Sequence, residues 1–444
     1  VTATRADTRA GKVKKSTTPL VTTYRGPEGE ESSKDYRVEV NGKPVFVYRA
    51  RVSAIPFNQW WPGYQRPKDQ TEMASFAYWD MSGPVDVEVW SKRPVETVAI
   101  RPTSYGIRAS VEGTRITFRM LPSQRLTVEV NGTNYALHLF GNPLEEAAPK
   151  PADPNVLYFG PGIHRPGKIE MKSGQTVYIA GGAVVYGDIE ATEQSNLRIL
   201  GRGILDVSEV KRPTKVWTNP TAKPMDSKER LKSYVAADGG VFGGAISMCG
   251  CQNVHIEGIV VRDSNRWTIV SAGCRQVRIA NVKLIGLWRY NTDGINTVNS
   301  EDVTIDGCFI RSFDDSICIK GGSWHAYNSH RRPVRNVTVS NCVIWNDWGK
   351  AIAFGGSGAA SEMTNIVFRD CDIIRACGSV ISIHLKQKEA HVHDVRFENI
   401  RVEIDDEAYT PMIQKTYDTK YTGKKGVHCP SLLSVSLRGR VKLS

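Results

Sequence analysis

Several features are missing from this 444-residue chain, and each absence closes a class of reading. No stretch approaches the roughly 20 consecutive apolar residues that cross a bilayer, so no transmembrane helix is expected. The nine cysteines are an odd number. None has metal-ligand spacing except Cys249-Gly250-Cys251, which is too close for a zinc knuckle. No run of lysine and arginine interleaved with aromatics reads as a nucleic-acid groove, although the net charge is +12. An acidic polysaccharide ranks above DNA, RNA or a membrane surface as the partner of that surplus; ordinary surface composition is the plain alternative. The leucine-rich-repeat pattern is absent, and so is any helix-length amphipathic segment between the repeats described below. The composition that remains, 40% hydrophobic and 23% charged, allows a sizeable core.

Residues 1–35 are polar and rich in Lys, Arg, Thr and Ser, and read as a flexible arm. From residue 36 to 141 the polarity alternates with period two. Arg37-Val38-Glu39-Val40, Val85-Asp86-Val87-Glu88-Val89 and Leu126-Thr127-Val128-Glu129-Val130 are examples. Asn41-Gly42 and Asn131-Gly132 have the composition of tight hairpin turns. An N-terminal antiparallel β-sandwich is the expectation, with no catalytic cluster of its own. Residues 142–155 are rich in Pro, Ala and charge and read as a linker. Residues 156–444 are expected to form a parallel β-helix that carries the chemistry. Within it, residues 211–238 break the pattern and read as a long loop beside a cleft, with a short helix near Ser227 to Val235.

The β-helix expectation rests on a repeat. Val254, Val277, Val303, Val337, Ile366 and Val395 each begin an apolar-x-apolar triplet, at steps of 23, 26, 34, 29 and 29 residues. Five residues further on stand Ile259, Val282, Cys308, Cys342, Cys371 and Ile400. Seven further on stand Val261, Leu284, Ile310, Ile344, Ile373 and Val402. Period two within a unit means strands. Identical columns between units mean stacked coils with an inward ladder, in which the cysteines are small core filler rather than a disulfide framework.

Two consecutive repeats carry carboxylates at matching places: Asn291-Thr292-Asp293-Gly294, then Asp314-Asp315-Ser316-Ile317-Cys318-Ile319-Lys320. Coils lie about 4.8 Å apart, so Asp293, Asp314 and Asp315 are expected within several ångströms of one another. Hydrolysis of a glycosidic bond with inversion needs one carboxylic acid to protonate the leaving oxygen and one carboxylate to activate water. Crowding of like charges keeps a proton on one of them near neutral pH. Taken singly, each motif is ordinary turn chemistry, and clustered carboxylates also serve calcium sites. Lys320 is a candidate substrate contact, but alternation alone leaves its direction open. His391 and His393 alternate beside a coil start, as a metal pair or as a half-exposed strand. Trp345 and Trp348 would either stack on sugar or cover coil ends. His325, His330, Arg331 and Arg332, in the insertion after the Asp pair, read as solvated loop.

Asn291-Thr292-Asp293-Gly294-Ile295, with Asp314-Asp315-Ser316-Ile317-Cys318-Ile319-Lys320-Gly321-Gly322, resembles glycoside hydrolase family 28, the polygalacturonases and their relatives. Ser264-Asn265-Arg266-Trp267 resembles that family's Ser-Pro-x-Trp segment, and the likeness covers roughly residues 155 to 400. It implies a right-handed parallel β-helix, inversion of configuration, no metal and no cofactor, with Asp314 as general acid and Asp293 and Asp315 activating water. It also implies that Asn291 and Trp267 contact sugar. The family's Gly-His-Gly appears as Gly349-Lys350-Ala351, so Lys350 replaces a histidine. Its Arg-Ile-Lys corresponds to His384-Leu385-Lys386, which keeps the lysine and loses the arginine. Family 49, the dextranases and isopullulanases, is similar in its three-Asp layout and in a sandwich preceding the β-helix. The implied activity is hydrolysis of α-glycosidic bonds of a polysaccharide or oligosaccharide. Pectin is favoured, and α-glucans or non-catalytic glycan binding are the alternatives. A lyase on the same architecture ranks below these. The chain starts at Val1 without a signal-peptide stretch, and a secreted or periplasmic location is expected from the reaction class alone.

Overall fold

The computed structural model describes residues 18–54, 71–146, 148–211, 244–289, 291–321, 332–355, 360–385, 391–404, 431–437 and 442–443. The 211–238 loop with its short helix, the His325–Arg331 insertion and Lys386 therefore lie wholly or almost wholly outside the described residues. Two architectures follow one another along the chain. Strands between Val21 and Pro143 form two stacked sheets. Strands from Val156 onward form parallel ladders.

In the first part, one sheet orders strands Val21–Thr23, Thr71–Met81, Leu137–Pro143, Arg125–Val130 and Val98–Arg101, with Tyr48–Ser53 beside the second of these. The other sheet is wholly antiparallel. Two expectations need correction. Residues 21–24 of the expected arm are anchored: Val21–Thr23 pairs with Met81 to Trp79, and Tyr24 donates a hydrogen bond to Asp80 at 3.0 Å. A hydrophobic residue at 21 and an aromatic at 24 suffice to anchor a segment whose composition is otherwise polar. The sandwich is also not purely antiparallel, because Leu137–Pro143 runs parallel to Ser75–Met81. Linker residues Asn142 and Pro143 belong to that strand.

The parallel part winds three strands per regular coil. The columns read from the sequence are the observed register: Val254, Val277, Val303, Val337, Ile366 and Val395 are successive partners. Val261, Leu284, Ile310, Ile344, Ile373 and Val402 are as well. Period two sends these side chains inward, and nearly all are fully buried in one continuous core. The described cysteines are free and buried, as filler. The coils turn at two stacked columns of left-handed residues, a conformation that Asn, Asp and Gly tolerate because of their short or absent side chains. Asn196, Asn253, Gln276, Asp302, Asn336, Asn365 and Asp394 form one column. Gly258, Asn281, Gly307, Asn341, Asp370 and Asn399 form the other. Amides in these columns bond their counterparts one coil away, as Asn253 does to Asn196 at 2.7 Å and Asn365 to Asn336 at 2.9 Å.

One face of the coil stack, strands 204–206, 260–262, 283–287, 309–312, 343–346 and 372–376, packs on the first sheet of the sandwich. Phe76, Tyr78 and Phe140 meet Val184, Ile204, Val260, Ile285, Phe309 and Val343 there. Charged side chains share this seam in pairs. Arg202 donates to Asp80 at 3.0 Å, Arg262 to Asp206 and Glu30, and Arg375 to Glu129 at 2.8 Å. Each of these arginines is balanced by at least one carboxylate, so the +12 surplus is carried by side chains other than these pairs.

Candidate active site

The next turn of each coil, between the seam strand and the following strand, holds the carboxylates. Partner residues Ile269, Ile295, Ile317 and Ile352 lie in register on four successive coils. Two residues before each stand Trp267, Asp293, Asp315 and Lys350. These four are therefore one column across neighbouring coils, and Asp314 sits one place earlier, level with Thr292 and Gly349. Asp293 and Asp315 approach so that a carboxylate oxygen of each lies within 4.8 Å of the other and of the Cys318 sulfur.

Tight backbone geometry fixes this cluster. Asn291 takes a left-handed φ of 61°, and the turn closes through Thr292 N–H donating to Arg289 O at 3.2 Å. Gly294 N–H donates to Asp315 O at 2.9 Å, and Ser316 N–H to Lys350 O at 2.8 Å. A methyl group on Gly349 would stand 2.6 Å from the Asp314 carbonyl carbon and 2.8 Å from its Oδ1. Only glycine lets the next coil pass this close. Beneath the Asp pair, Asn346 Nδ2 and Ser312 Oγ both donate to Asp314 O at 2.7 Å, and Ser312 and Ser316 share a 2.8 Å bond. These three positioning residues were not anticipated. The flanking serines of Ser312-Phe313-Asp314-Asp315-Ser316 were the one signal available, since Asn346 is remote in sequence and has no motif.

The three carboxyls have different environments. Asp314 is buried, and burial together with the neighbouring Asp293 and Asp315 charges raises its pKa well above the carboxylate range. Asp293 is pushed up to about 6, burial outweighing the Lys320 ammonium 3.0 Å from its Oδ2. Its Oδ1 is buried without a hydrogen-bond partner. Asp315 goes the other way. Burial opposes its charge, but Lys350 and Lys320 prevail and lower it. Lys350 holds Asp315 Oδ1 twice, through Nζ at 3.2 Å and backbone N–H at 3.1 Å. Both lysines are in turn held charged by these carboxylates. The column therefore presents one carboxylic acid beside an ionised carboxylate, the pairing that acid/base hydrolysis requires.

The other anticipated contacts are distributed around this column. Lys320 does face it, with its ammonium also 3.9 Å over the Trp267 ring. Trp267 is only 8% exposed; it backs Lys320 rather than offering an open platform for sugar. Asn291 is half-buried at the mouth of the turn, and His384 lies on the same outward column as Lys320 but two coils away. Trp345 is not a sugar platform. It is buried in the seam, edge-on to His138 with Arg311 4.0 Å from its ring. Trp348 is half-buried and stacks on Phe313 at 5.2 Å beside the Asp pair.

Fold and site thus define a parallel β-helix with a three-carboxylate cluster on a coil edge. Residues 232–442 match the family model for glycosyl hydrolases family 28, so the resemblance read from the motifs holds over that stretch of the β-helix. A probable polygalacturonase of Arabidopsis thaliana is 26% identical over 36% of this chain and 34% of its own length. Polygalacturonase-2 of Solanum lycopersicum is 23% identical over 39% of this chain and 35% of its own. The chain spans about a third of the length of these curated relatives. In overall fold it is similar to Dex49A from Penicillium minioluteum, with a TM-score of 0.53, 16% identity, and coverage of 94% of this chain and 96% of that one.

Proposed function

We propose that the protein is an inverting glycoside hydrolase acting on α-linked polysaccharide or oligosaccharide, with pectin, as galacturonan or rhamnogalacturonan, the favoured substrate. The carrying observation is the clustering of Asp293, Asp314 and Asp315 on adjacent coils, where burial and like charge raise the pKa of Asp314 and the lysines lower that of Asp315. Asp314 is the acid that protonates the glycosidic oxygen as the bond to the anomeric carbon breaks. Asp315 and Asp293 face each other across a gap suited to one water molecule. They accept its proton as its oxygen attacks that carbon from the opposite face. Lys350, in place of the family histidine, keeps Asp315 ionised. The names of the curated relatives support pectin.

A neutral α-glucan is the second reading, and one observation favours it. Lys320 and Lys350 are both engaged by Asp293 and Asp315, so neither is a dedicated partner for a uronate carboxylate. Proton NMR of polygalacturonic acid and dextran digests tests both readings. The β-anomer appearing first from polygalacturonic acid is the expected result. Cleavage of dextran alone would transfer the proposal to glucans. An α-anomer appearing first would overturn inversion, and no cleavage of either would overturn hydrolysis.

A further inference from the structure

Far from the carboxylate column, on the outer surface of the coil sheet, stand Glu362, His391 and His393. Glu362 precedes strand Met363–Arg369, and His391 opens the strand of the next coil, with Met363 and Val392 as partners. Met363 and Val392 are buried in the core. Strand alternation therefore puts Glu362, His391 and His393 together on the outside, on adjacent coils. His393 Nε2 is 2.9 Å from Glu362 Oε1, and His391 Nδ1 is 3.8 Å from the same oxygen. The two imidazoles lie 4.7 Å apart, and one ligand atom from each of the three residues lies within 4.8 Å of the others.

We propose that Glu362, His391 and His393 form a binding site for a borderline divalent cation of the zinc class, clipping the two coils together. Two imidazoles and one carboxylate are the donor set such ions take, with water completing the tetrahedron. Ligand atoms around a tetrahedral zinc stand about 3.4 Å apart, given bonds of about 2.1 Å. The observed spacings need only small side-chain rotations to reach that value. The outer partners are also present. His393 Nδ1 is 2.9 Å from Asp394 Oδ2 and 3.1 Å from Thr364 Oγ1. That contact fixes the ring and directs Nε2 to the cation, as carboxylates behind metal-bound histidines do. The other described group with metal-ligating atoms, Asp293, Asp315 and Cys318, is poorly suited by comparison, because Lys320 and Lys350 already supply its positive charge. Near Glu362 the nearby cation Arg335 is engaged instead by Glu301 at 2.6 Å. The clip falls where the core thins: Val395, Phe397, Ile400 and Val402 are only partly buried.

Titration of the metal-stripped full chain with zinc chloride by calorimetry tests the assignment. One zinc per chain is expected, with a dissociation constant at or below roughly 100 μM. His391→Ala and His393→Ala should each weaken it at least about 10-fold, and Glu362→Gln likewise. Saturating zinc should raise the melting temperature of the wild-type chain by about 3 °C and leave the double histidine variant unmoved. Melting without zinc shows that the variants fold, and polysaccharide hydrolysis by the double variant should match wild type. Weaker binding by the wild-type chain overturns the proposal. So does stoichiometry that survives both histidine changes, or that is lost only in Asp315→Asn.

Discussion

Two strips of the same coil stack place charged side chains out of water and treat them in opposite ways. Along the seam with the sandwich, three buried arginines each meet a carboxylate at hydrogen-bond distance: Arg202 with Asp80, Arg262 with Asp206 and Glu30, Arg375 with Glu129. Along the neighbouring turn column, three carboxylates share two lysines, and one carboxyl keeps its proton. A buried charge with a matched partner is structurally quiet, whereas breaking the match costs several kcal/mol. An unmatched set stays reactive because its protons have nowhere better to go. The seam stabilises a geometry that the column, left alone, would oppose.

The largest effect should come from Asp314→Asn. If Asp314 is the general acid proposed above, its loss is expected to lower hydrolysis by about 10²–10⁴-fold. Stability should move the other way. The folded chain holds a proton on Asp314 that the unfolded chain releases above about pH 4. Native stability therefore falls as pH rises from there toward the raised folded value, and asparagine removes that slope. Melting temperature at pH 7–8 should be equal or higher by about 2–4 °C. A variant that melts earlier while retaining activity would place Asp314 on the structural side of the comparison.

Glu129→Ala is the converse. It removes the carboxylate that Arg375 and Arg101 both bind, leaving Arg101 its pair with Glu403, and should cost about 3–5 kcal/mol in denaturant unfolding. Hydrolysis per folded molecule should stay at wild-type level. Arg311 sits in the same seam, with His138 3.2 Å away and held neutral by burial and by that guanidinium.

How much of this was legible follows from what each strand touches. The inward columns from Val254 to Val395 and from Val261 to Val402 were readable, because identical packing on every coil repeats the same residue type. The carboxylate turn was readable because Asp293 and Asp315 recur at one repeat position, with Asp314 directly before the second. The seam was not. Arg125-Leu126-Thr127-Val128-Glu129-Val130 alternates like a strand with one face in water, yet all six residues are buried. Its polar face is docked against the coils, and alternation reports polarity rather than the surface that meets it. Arg262, Arg311 and Arg375 were hidden for the same reason, and Trp345 stayed open between sugar stacking and covering a coil because an isolated tryptophan does not show which domain covers it. Ser312, Ser316 and Asn346 support the Asp pair through contacts that only the coil register creates.

Gly349→Ala tests how closely the column depends on that register. The added methyl group meets Asp314 and Asp315 backbone atoms at 2.6 Å, so the acid must move. A displacement of that kind lowers hydrolysis by about 10–100-fold, while the seam pairs, and with them most of the unfolding free energy, stay in place. Wild-type activity in this variant would show that the turn tolerates more play than its packing implies.

The smallest expected effect lies in Lys350→Gln, and it separates the two strips most cleanly. Lys350 lowers the pKa of all three carboxyls. Activity needs its base ionised, so it fails as pH falls through the base's pKa. It needs its acid protonated, so it fails as pH rises through the acid's. Losing one positive charge at this distance raises both values, and the whole pH–rate profile of kcat/KM should slide upward by about 1 unit. A peak that only shrinks in place would mean that Lys350 binds substrate rather than setting proton affinities. A seam lysine such as Lys283, buried beside Asn142 and Gly258 O, where burial disfavours its charged form, should leave the profile where it is when replaced by methionine.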